Sequence, residues 1–457
     1  MQSLQVDRRF LHRQSKQMNI VLGIDLGTTS VKVVLYRFPK ILSQCCLPHE
    51  ATISSEDKSF HQQDVAKIFA AFERCVKSVL LASPINMQSV SAIAVCGQMH
   101  GCVLWAERDI HRFTTAQQAI CALASGDWSE ISPLVTWLDR RAVGPFLDSL
   151  PLPKSHVVPR SGFGIVTLLW WLRNGMLPGP SSACNCAGTV QDLLVACLCL
   201  LQRPVMTNHN AVSWGYFDDV NSFSWNESLL EREGLQHNFL PEVVSAGSIA
   251  GFLKGSFHGI LDGVPVFAAL GDFQATVYQH MCPHTAVAAS LNGGNVLSAI
   301  VDSLCDAIFM ITGSSPPAEK VWQVLMTDVV STNHQEVSED SCSVNPWLFG
   351  ERYDPSLRAS VTNITSGNFS LSRLFQEVIS SIISNLHSML PAGFIEVYDI
   401  RQMKLTGEAA KDYFRKFVEK FYGDRCQITA IEGTLDAAVG SAAYVSHISS
   451  SCSSERV

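Results

Sequence analysis

An α/β protein of two unequal lobes is the fold class this sequence predicts, on three observations. Up to about residue 281, β-branched strand runs alternate with patterns of helical period. Past residue 282 the texture changes to long helical patterns with few strands. With 457 residues, 47% hydrophobic and 16% charged, the chain has enough apolar material for more than one core.

The first strands are "NIVLGIDL" and "VKVVLYRF", two apolar runs folded into a hairpin around Gly27-Thr28-Thr29-Ser30. A helix follows in "QQDVAKIFAAFERCVKSVLLA", then strands in "VSAIAVCG" and "CVLW". Residues 112–132 read as irregular and polar. Helical patterns return in "GIVTLLWWLRNG" and "VQDLLVACLCLLQ", a strand in "GVPVFAAL", and a helix opens after Gly271-Asp272. The second lobe reads as helices at 295–312 and 318–330, a Ser- and acid-rich loop, a helix in "LSRLFQEVISSIISNLHSML", a strand in "IRQMKLTG" and a helix in "KDYFRKFVEKFYG". A last pattern, "TLDAAVGSAAYV", closes the fold, and residues 1–18 and 447–457 are expected to be disordered.

The formal charge of −8 gives no footprint for nucleic acid and argues against adhesion to anionic membrane. Fifteen cysteines are scattered singly, with no secretory pattern ahead of them, so reduced thiols and a cytoplasmic location are expected. Cys184-x-Cys186 and Cys197-x-Cys199 imitate a metal pattern, but the second pair lies in an apolar helix where residues two apart diverge. The longest uninterrupted apolar stretch is that same segment, too short to span a membrane. A small-molecule substrate is the remaining expectation.

Four polar breaks are candidates for its site. "DLGTTS" (25–30) is not a Walker loop, yet a tight hairpin aims N–H groups and hydroxyls at one spot, where phosphate oxygens bind. Asp25 ahead of it can hold Mg²⁺, which prefers one or two carboxylates with phosphates and waters. An ordinary Gly-Thr turn explains the stretch equally well. Asp272, between strand and helix in "ALGDFQATVY", is either a base for a hydroxyl proton or a helix N-cap. Gln98 and His100 in "CGQMHG" suit hydrogen bonds to sugar hydroxyls, or are satisfied core groups. Trp137, Asp139 and Arg140 in "LVTWLDRRA" read as a sugar platform and hydroxyl ligand, or as a surface ion pair beside an aromatic ring.

Taken together, in this order and spacing, these segments resemble the FGGY family of carbohydrate kinases over roughly residues 19–446. "GIDLGTTSVKVVLY" is similar to that family's first phosphate loop, "GDFQATVY" to its catalytic-base segment, "GERYDPSLRASV" to its second-lobe signature and "LDAAVGSAAYV" to its closing helix. The resemblance implies an actin-like, ribonuclease-H-like fold with an N-terminal lobe at 19–281 and a C-terminal lobe at 282–446. It implies transfer of the ATP γ-phosphoryl group to the terminal primary hydroxyl of a ketose, with sedoheptulose favoured and a xylulose-type sugar as the alternative. Asp272 would be the base, Asp25 would position Mg²⁺ and ATP, and Gly27, Thr28, Thr29 and Gly407 would line the nucleotide side. Gln98, Met99, His100, Trp137 and Asp139 would surround the sugar.

Two departures from the family pattern bear on activity. "ATVYQHMCPHTAV" runs directly into "AASLNGGNV", where the family has a second phosphate hairpin, so the second lobe is expected to lack a strand pair and one side of the phosphate clamp. "LTGEAAKD" keeps Gly407 but puts Glu408 where the family has glycines, a negative charge beside a nucleotide that already carries several. Both point to weakened ATP binding.

Overall fold

The computed structural model describes residues 20–83, 85–176, 184–280, 290, 292–331, 342–351, 354, 356–368, 370–390, 392–431 and 436–452. The expected extension at 1–18, the junction at 282–289 and the last residues, 453–457, lie outside them. Two compact units form: Met1–Met281 with Leu435–Val457, and Cys282–Thr434.

The first unit is built on one sheet. Strands β1 (Ile20–Leu26), β2 (Ser30–Arg37) and β3 (Lys40–Pro48) form an antiparallel meander, and helix α1 (Val65–Leu81) leads to β4 (Val90–Gly97), parallel to β1. Asp64 caps α1 by accepting from Ala66 N and Lys67 N, which starts the helix after Gln62-Gln63 rather than with them. Helix α2 (Ala116–Ala124) occupies part of the stretch read as irregular. Thr115 caps it, and Ala116, Ala119, Ile120 and Leu123 bury one face, a stripe too short to stand out among polar neighbours.

Helices α3 (Gly164–Arg173) and α4 (Val190–Cys199) follow, then β5 (Ile249–Phe252), β6 (Pro265–Phe267) and β7 (Leu270–Gly271). The sheet order is β5-β6-β4-β1-β2-β3, with β7 also on β4. Alternation along β1 divides its two faces: Ile20, Leu22, Ile24 and Leu26 join the core under α1 and α4, while Val21 packs with the final helix. Helix α5 (Asp272–His280) leaves β7 directly.

In the second unit, α6 (Gly294–Thr312) and α7 (Ala318–Ser331) precede a strand pair, β8 (Ser343–Asn345) with β9 (Ser360–Thr362). Helix α8 (Leu371–Met389) precedes β10 (Gln402–Leu405), α9 (Asp412–Tyr422) and β11 (Gln427–Ala430), and β10 pairs with β11 in parallel. Val296, Leu297 and Val301 of α6 share a core with Phe375, Ile379 and Ile382 of α8. By length and composition alone α6 is apolar enough to cross a membrane, though Asp302 and Asp306 interrupt it. Glu351 of the signature segment is fully buried and accepts from Asn292 Nδ2 at 3.0 Å and Asn385 Nδ2 at 2.8 Å. Those bonds tie Asn292, just ahead of α6, to the signature segment.

Helix α10 (Asp436–Cys452) returns to the first unit. Its Ala438, Ala442 and Val445 pack on Val21, Val34 and Ala94, so the closing helix belongs with the first sheet rather than with the second lobe. It also continues through residues 447–452, which were expected to be disordered, because His447 and Ile448 still find partners in Tyr278 and the sheet.

Candidate active site

Strand register brings two carboxylates to one end of the sheet. Asp25 on β1 stands opposite Cys96 on β4, Cys96 stands opposite Leu270 on β7, and all three strands run parallel. Asp272 is the first residue past β7, so it and Asp25 flank the end of β4. The ends of parallel strands are where sheets of this kind collect ligands.

Asp25 is buried at 1% exposure, and its Oδ2 accepts from Lys32 Nζ at 3.1 Å. Its Oδ1 has no partner. Burial raises the Asp25 pKa and the Lys32 ammonium opposes that rise. Asp272 Oδ1 accepts from Phe273 N–H at 2.7 Å. Its pKa is raised to about 7, first by burial and then by the negative charge of Asp25. The Cys96 thiol is pushed well above its ordinary value by burial and by both carboxylates, so it stays neutral.

The Gly27–Ser30 turn is held by its carbonyls. Gly27 N–H donates to Ser30 O at 3.1 Å, and Thr29 O accepts from His49 N–H at 3.3 Å. Gly27 O lies 3.3 Å from His49 Nε2, and Thr28 O accepts from Gln63 Nε2 at 2.7 Å. Because His49 Nδ1 accepts from Ala51 N–H at 3.1 Å, the proton of a neutral ring sits on Nε2, and burial lowers the His49 pKa to keep the ring neutral. Thr29 is exposed, while Thr28 is half-buried with Oγ1 accepting from Trp137 Nε1 at 3.1 Å. His49 and Gln63 carried no sequence signal. Their roles arise from pairings across 22 and 35 residues.

The sugar-side candidates adjoin this turn. Gln98 is buried; its N–H donates to Leu26 O at 3.0 Å, its Nε2 donates to Gln63 Oε1 at 2.9 Å, and its Oε1 has no partner. Met99 lies over Gly271, where an added Cβ would come within 2.6 Å of Met99 Cγ, so only glycine lets it reach the strand end before Asp272. His100 adopts φ 70°, donates from Nδ1 to Ser213 O at 2.7 Å and stacks on Phe163 with centroids 4.6 Å apart.

Asp139 departs from its expected role as a hydroxyl ligand. Its Oδ1 accepts from Arg141 N at 3.0 Å and Nε at 2.9 Å, and its Oδ2 accepts from Arg141 Nη2 at 2.8 Å and His61 N–H at 2.9 Å. All four lone-pair positions are taken, so Asp139 holds the loop that carries Trp137. In the second unit, Gly407 opens a short 3-10 turn (Gly407–Ala410) after β10, at the strand end where it was expected. The Glu408 side chain lies outside the described residues.

Residues 20–278 match the model of the FGGY family of carbohydrate kinases, N-terminal domain. The chain is 32% identical to human sedoheptulokinase over 490 aligned positions, covering 93% of this chain and 96% of that protein. It is 32% identical to the mouse sedoheptulokinase over 445 positions, covering 85% and 90%. Since 490 positions exceed the chain's 457 residues by 33, at least 33 positions of the human protein have no counterpart here. In structure, the chain is similar to a xylulose kinase from Rhodospirillum rubrum, with TM-score 0.67 and 14% identity over 96% of this chain and 91% of that one. A Plasmodium falciparum glycerol kinase with ADP gives TM-score 0.62 and 16% identity over 94% and 90%. The chain belongs to the FGGY family of carbohydrate kinases.

Proposed function

We propose that this chain phosphorylates a ketose with ATP, converting sedoheptulose to sedoheptulose 7-phosphate in the cytoplasm. The reading rests on the carboxylate pair at the aligned strand ends, one of them with a pKa near 7, beside a glycine-threonine turn. A base with that pKa is ionised in half or more of the molecules at neutral pH and still binds a proton well. Asp272 would take the proton of the sugar's primary hydroxyl as that oxygen attacks the γ-phosphorus, a role worth about 10²–10⁴-fold.

The Gly27–Thr29 turn, with its carbonyls tied to His49 and Gln63, keeps its outward side for phosphate oxygens. Asp25 Oδ1, buried and unpartnered, fits a magnesium ion, and no cluster of three or more His, Cys, Asp or Glu among the described residues offers a denser cage. Bound there with ATP, magnesium would neutralise phosphate charge. Lys32 holds the other Asp25 oxygen and fixes the carboxylate's rotation. Gln98 Oε1 would accept a hydrogen bond from a sugar hydroxyl, and the Trp137 ring would support the sugar's apolar face. The thirteen cysteines whose side chains are described are all free thiols, as suits a reducing compartment.

The test is ADP release that requires both sedoheptulose and Mg²⁺ and falls at least about a hundredfold in Asp272→Asn. Full activity in that variant would remove Asp272 as the base.

A second reading, a kinase-derived chain that binds sugar without transferring phosphate, is favoured by one observation. At least 33 positions of the human relative are missing, and the strands described in the second unit form only two-stranded pairs. Calorimetry separates the readings: micromolar binding of Mg–ATP by this chain sinks the second.

A further inference from the structure

Gln63 joins the two halves of the site. Its amide lies between Thr28 and Gln98, donating from Nε2 to Thr28 O at 2.7 Å and accepting at Oε1 from Gln98 Nε2 at 2.9 Å. Beyond Gln98 the chain of bonds continues, because Gln191 Nε2 donates to Gln98 O at 3.2 Å. Gln63, Gln98 and Gln191 are exposed by 4%, 1% and 0%, so no water competes for these bonds. A planar amide with a donor used at one end and an acceptor at the other has one allowed orientation. Turning it over would set carbonyl against carbonyl and N–H against N–H.

Two acceptors in this chain are left open, Gln98 Oε1 and Gln191 Oε1, and the first is the one beside the sugar-side candidates. Gln98 Oε1 is buried without a partner, on the segment that also presents Met99 and His100. Leaving such an oxygen unpaired is costly, so it calls for a donor from outside the protein, and a sugar hydroxyl supplies one. A hydroxyl bound there would hold the Gln98 amide in the rotamer that donates to Gln63, and Gln63 in the rotamer that donates to Thr28.

We propose that Gln63 is a positioning residue that couples the two substrates: sugar bound at Gln98 fixes the phosphate turn at Thr28 through the Gln63 amide. The proposal takes the ketose as the ligand at Gln98 from the kinase reading. Gln63 touches neither reacting group; it acts through the Thr28 carbonyl. Linkage requires the effect to be mutual, so phosphate held at the turn would tighten sugar binding by the same factor.

Hydrogen exchange followed by mass spectrometry tests this on the full chain, because it needs no turnover. Three proteins are compared with and without sedoheptulose: the parent, Gln63→Met, which loses both bonds, and Gln63→Glu, which keeps the size and the acceptor but loses the donor to Thr28. Without sugar, amides at 27–30 should exchange at least about tenfold faster in both variants, while those at 20–25 stay as in the parent and show the sheet intact. With sugar, the parent should slow at 98–101 and at 27–30, and the variants at 98–101 alone. Equal slowing at 27–30 in parent and variants overturns the proposal, as does parent-like exchange of the turn in the sugar-free variants. If sedoheptulose fails to slow 98–101 in the parent, the choice of ketose is wrong. The sugar-free comparison then decides the role of Gln63 by itself, faster exchange at 27–30 supporting it and unchanged exchange overturning it.

Discussion

As the proposed base, Asp272 would act only when ionised, and burial and the Asp25 charge both resist that ionisation. We expect kcat/KM for the ketose to rise with pH through about 7, and carbon-13 NMR of labelled aspartates to show the Asp272 titration moving to lower pH in Asp25→Asn, which removes the like charge. Stability follows the opposite course. The folded pKa lies above the ordinary carboxylate value of 3.8, so the native state binds the Asp272 proton more tightly than the unfolded chain does. Its contribution to stability falls as pH rises from about 4 to about 7 and is level above that. The melting temperature of Asp272→Asn should therefore gain on the parent across this window and hold its lead at pH 8; a lead that is already full at pH 4 contradicts the assignment. Asp139 shows what sequence could not reveal at this scale. "LDRRA" displays a carboxylate beside two guanidinium groups, but only the loop's conformation brings Arg141 back to grip both oxygens. The Arg141 side chain is 2% exposed, so Arg141→Ala strands a buried charge and should cost about 3–5 kcal/mol in urea unfolding.

β1 was legible as a continuous apolar, β-branched run and α1 by its 3.6-residue apolar period. Short α2 was not, and neither was the destination of α10, because nothing local in "LDAAVGSAAYV" says which sheet will receive it. Its small residues acquire meaning only in the fold. A Cβ on Gly440 would collide with the Ala275 carbonyl of α5, and one on Gly23 would collide with the Ala438 carbonyl of α10. Those two glycines let α10 lie against both β1, which ends in Asp25, and α5, which begins with Asp272. The clash in Gly440→Ala is with backbone and cannot be relieved by a rotamer change, so we expect a loss of about 1–3 kcal/mol, read as a lower urea midpoint. An unchanged midpoint would mean that α10 is free to move away from α5 without penalty.

At the scale of the whole molecule, the two units differ in how completely they are built. The first has a seven-stranded sheet with a core on each face. Among the described residues the second has two strand pairs of two, which depend on the helices packed against them through Val344 and Leu405. Its α6 leaves Phe309, Met310 and Ile311 exposed by 53%, 78% and 84%. Thirteen residues separate His280 from Gly294, where the family resemblance in the sequence leads us to expect a hairpin and a few dozen residues more. Their consequence for stability follows from burial: apolar area left in water contributes nothing to holding the unit together. Scanning calorimetry should show two transitions, the lower belonging to the second unit. Inserting a phosphate hairpin between His280 and Ser290 should raise that lower transition and increase sedoheptulose-dependent ADP release, while sugar binding stays within about threefold of the parent, because the proposed sugar-side residues all lie in the first unit. A single cooperative transition in the parent would show that its second unit does not unfold first. Full ADP release without the insertion would show that one phosphate turn is enough.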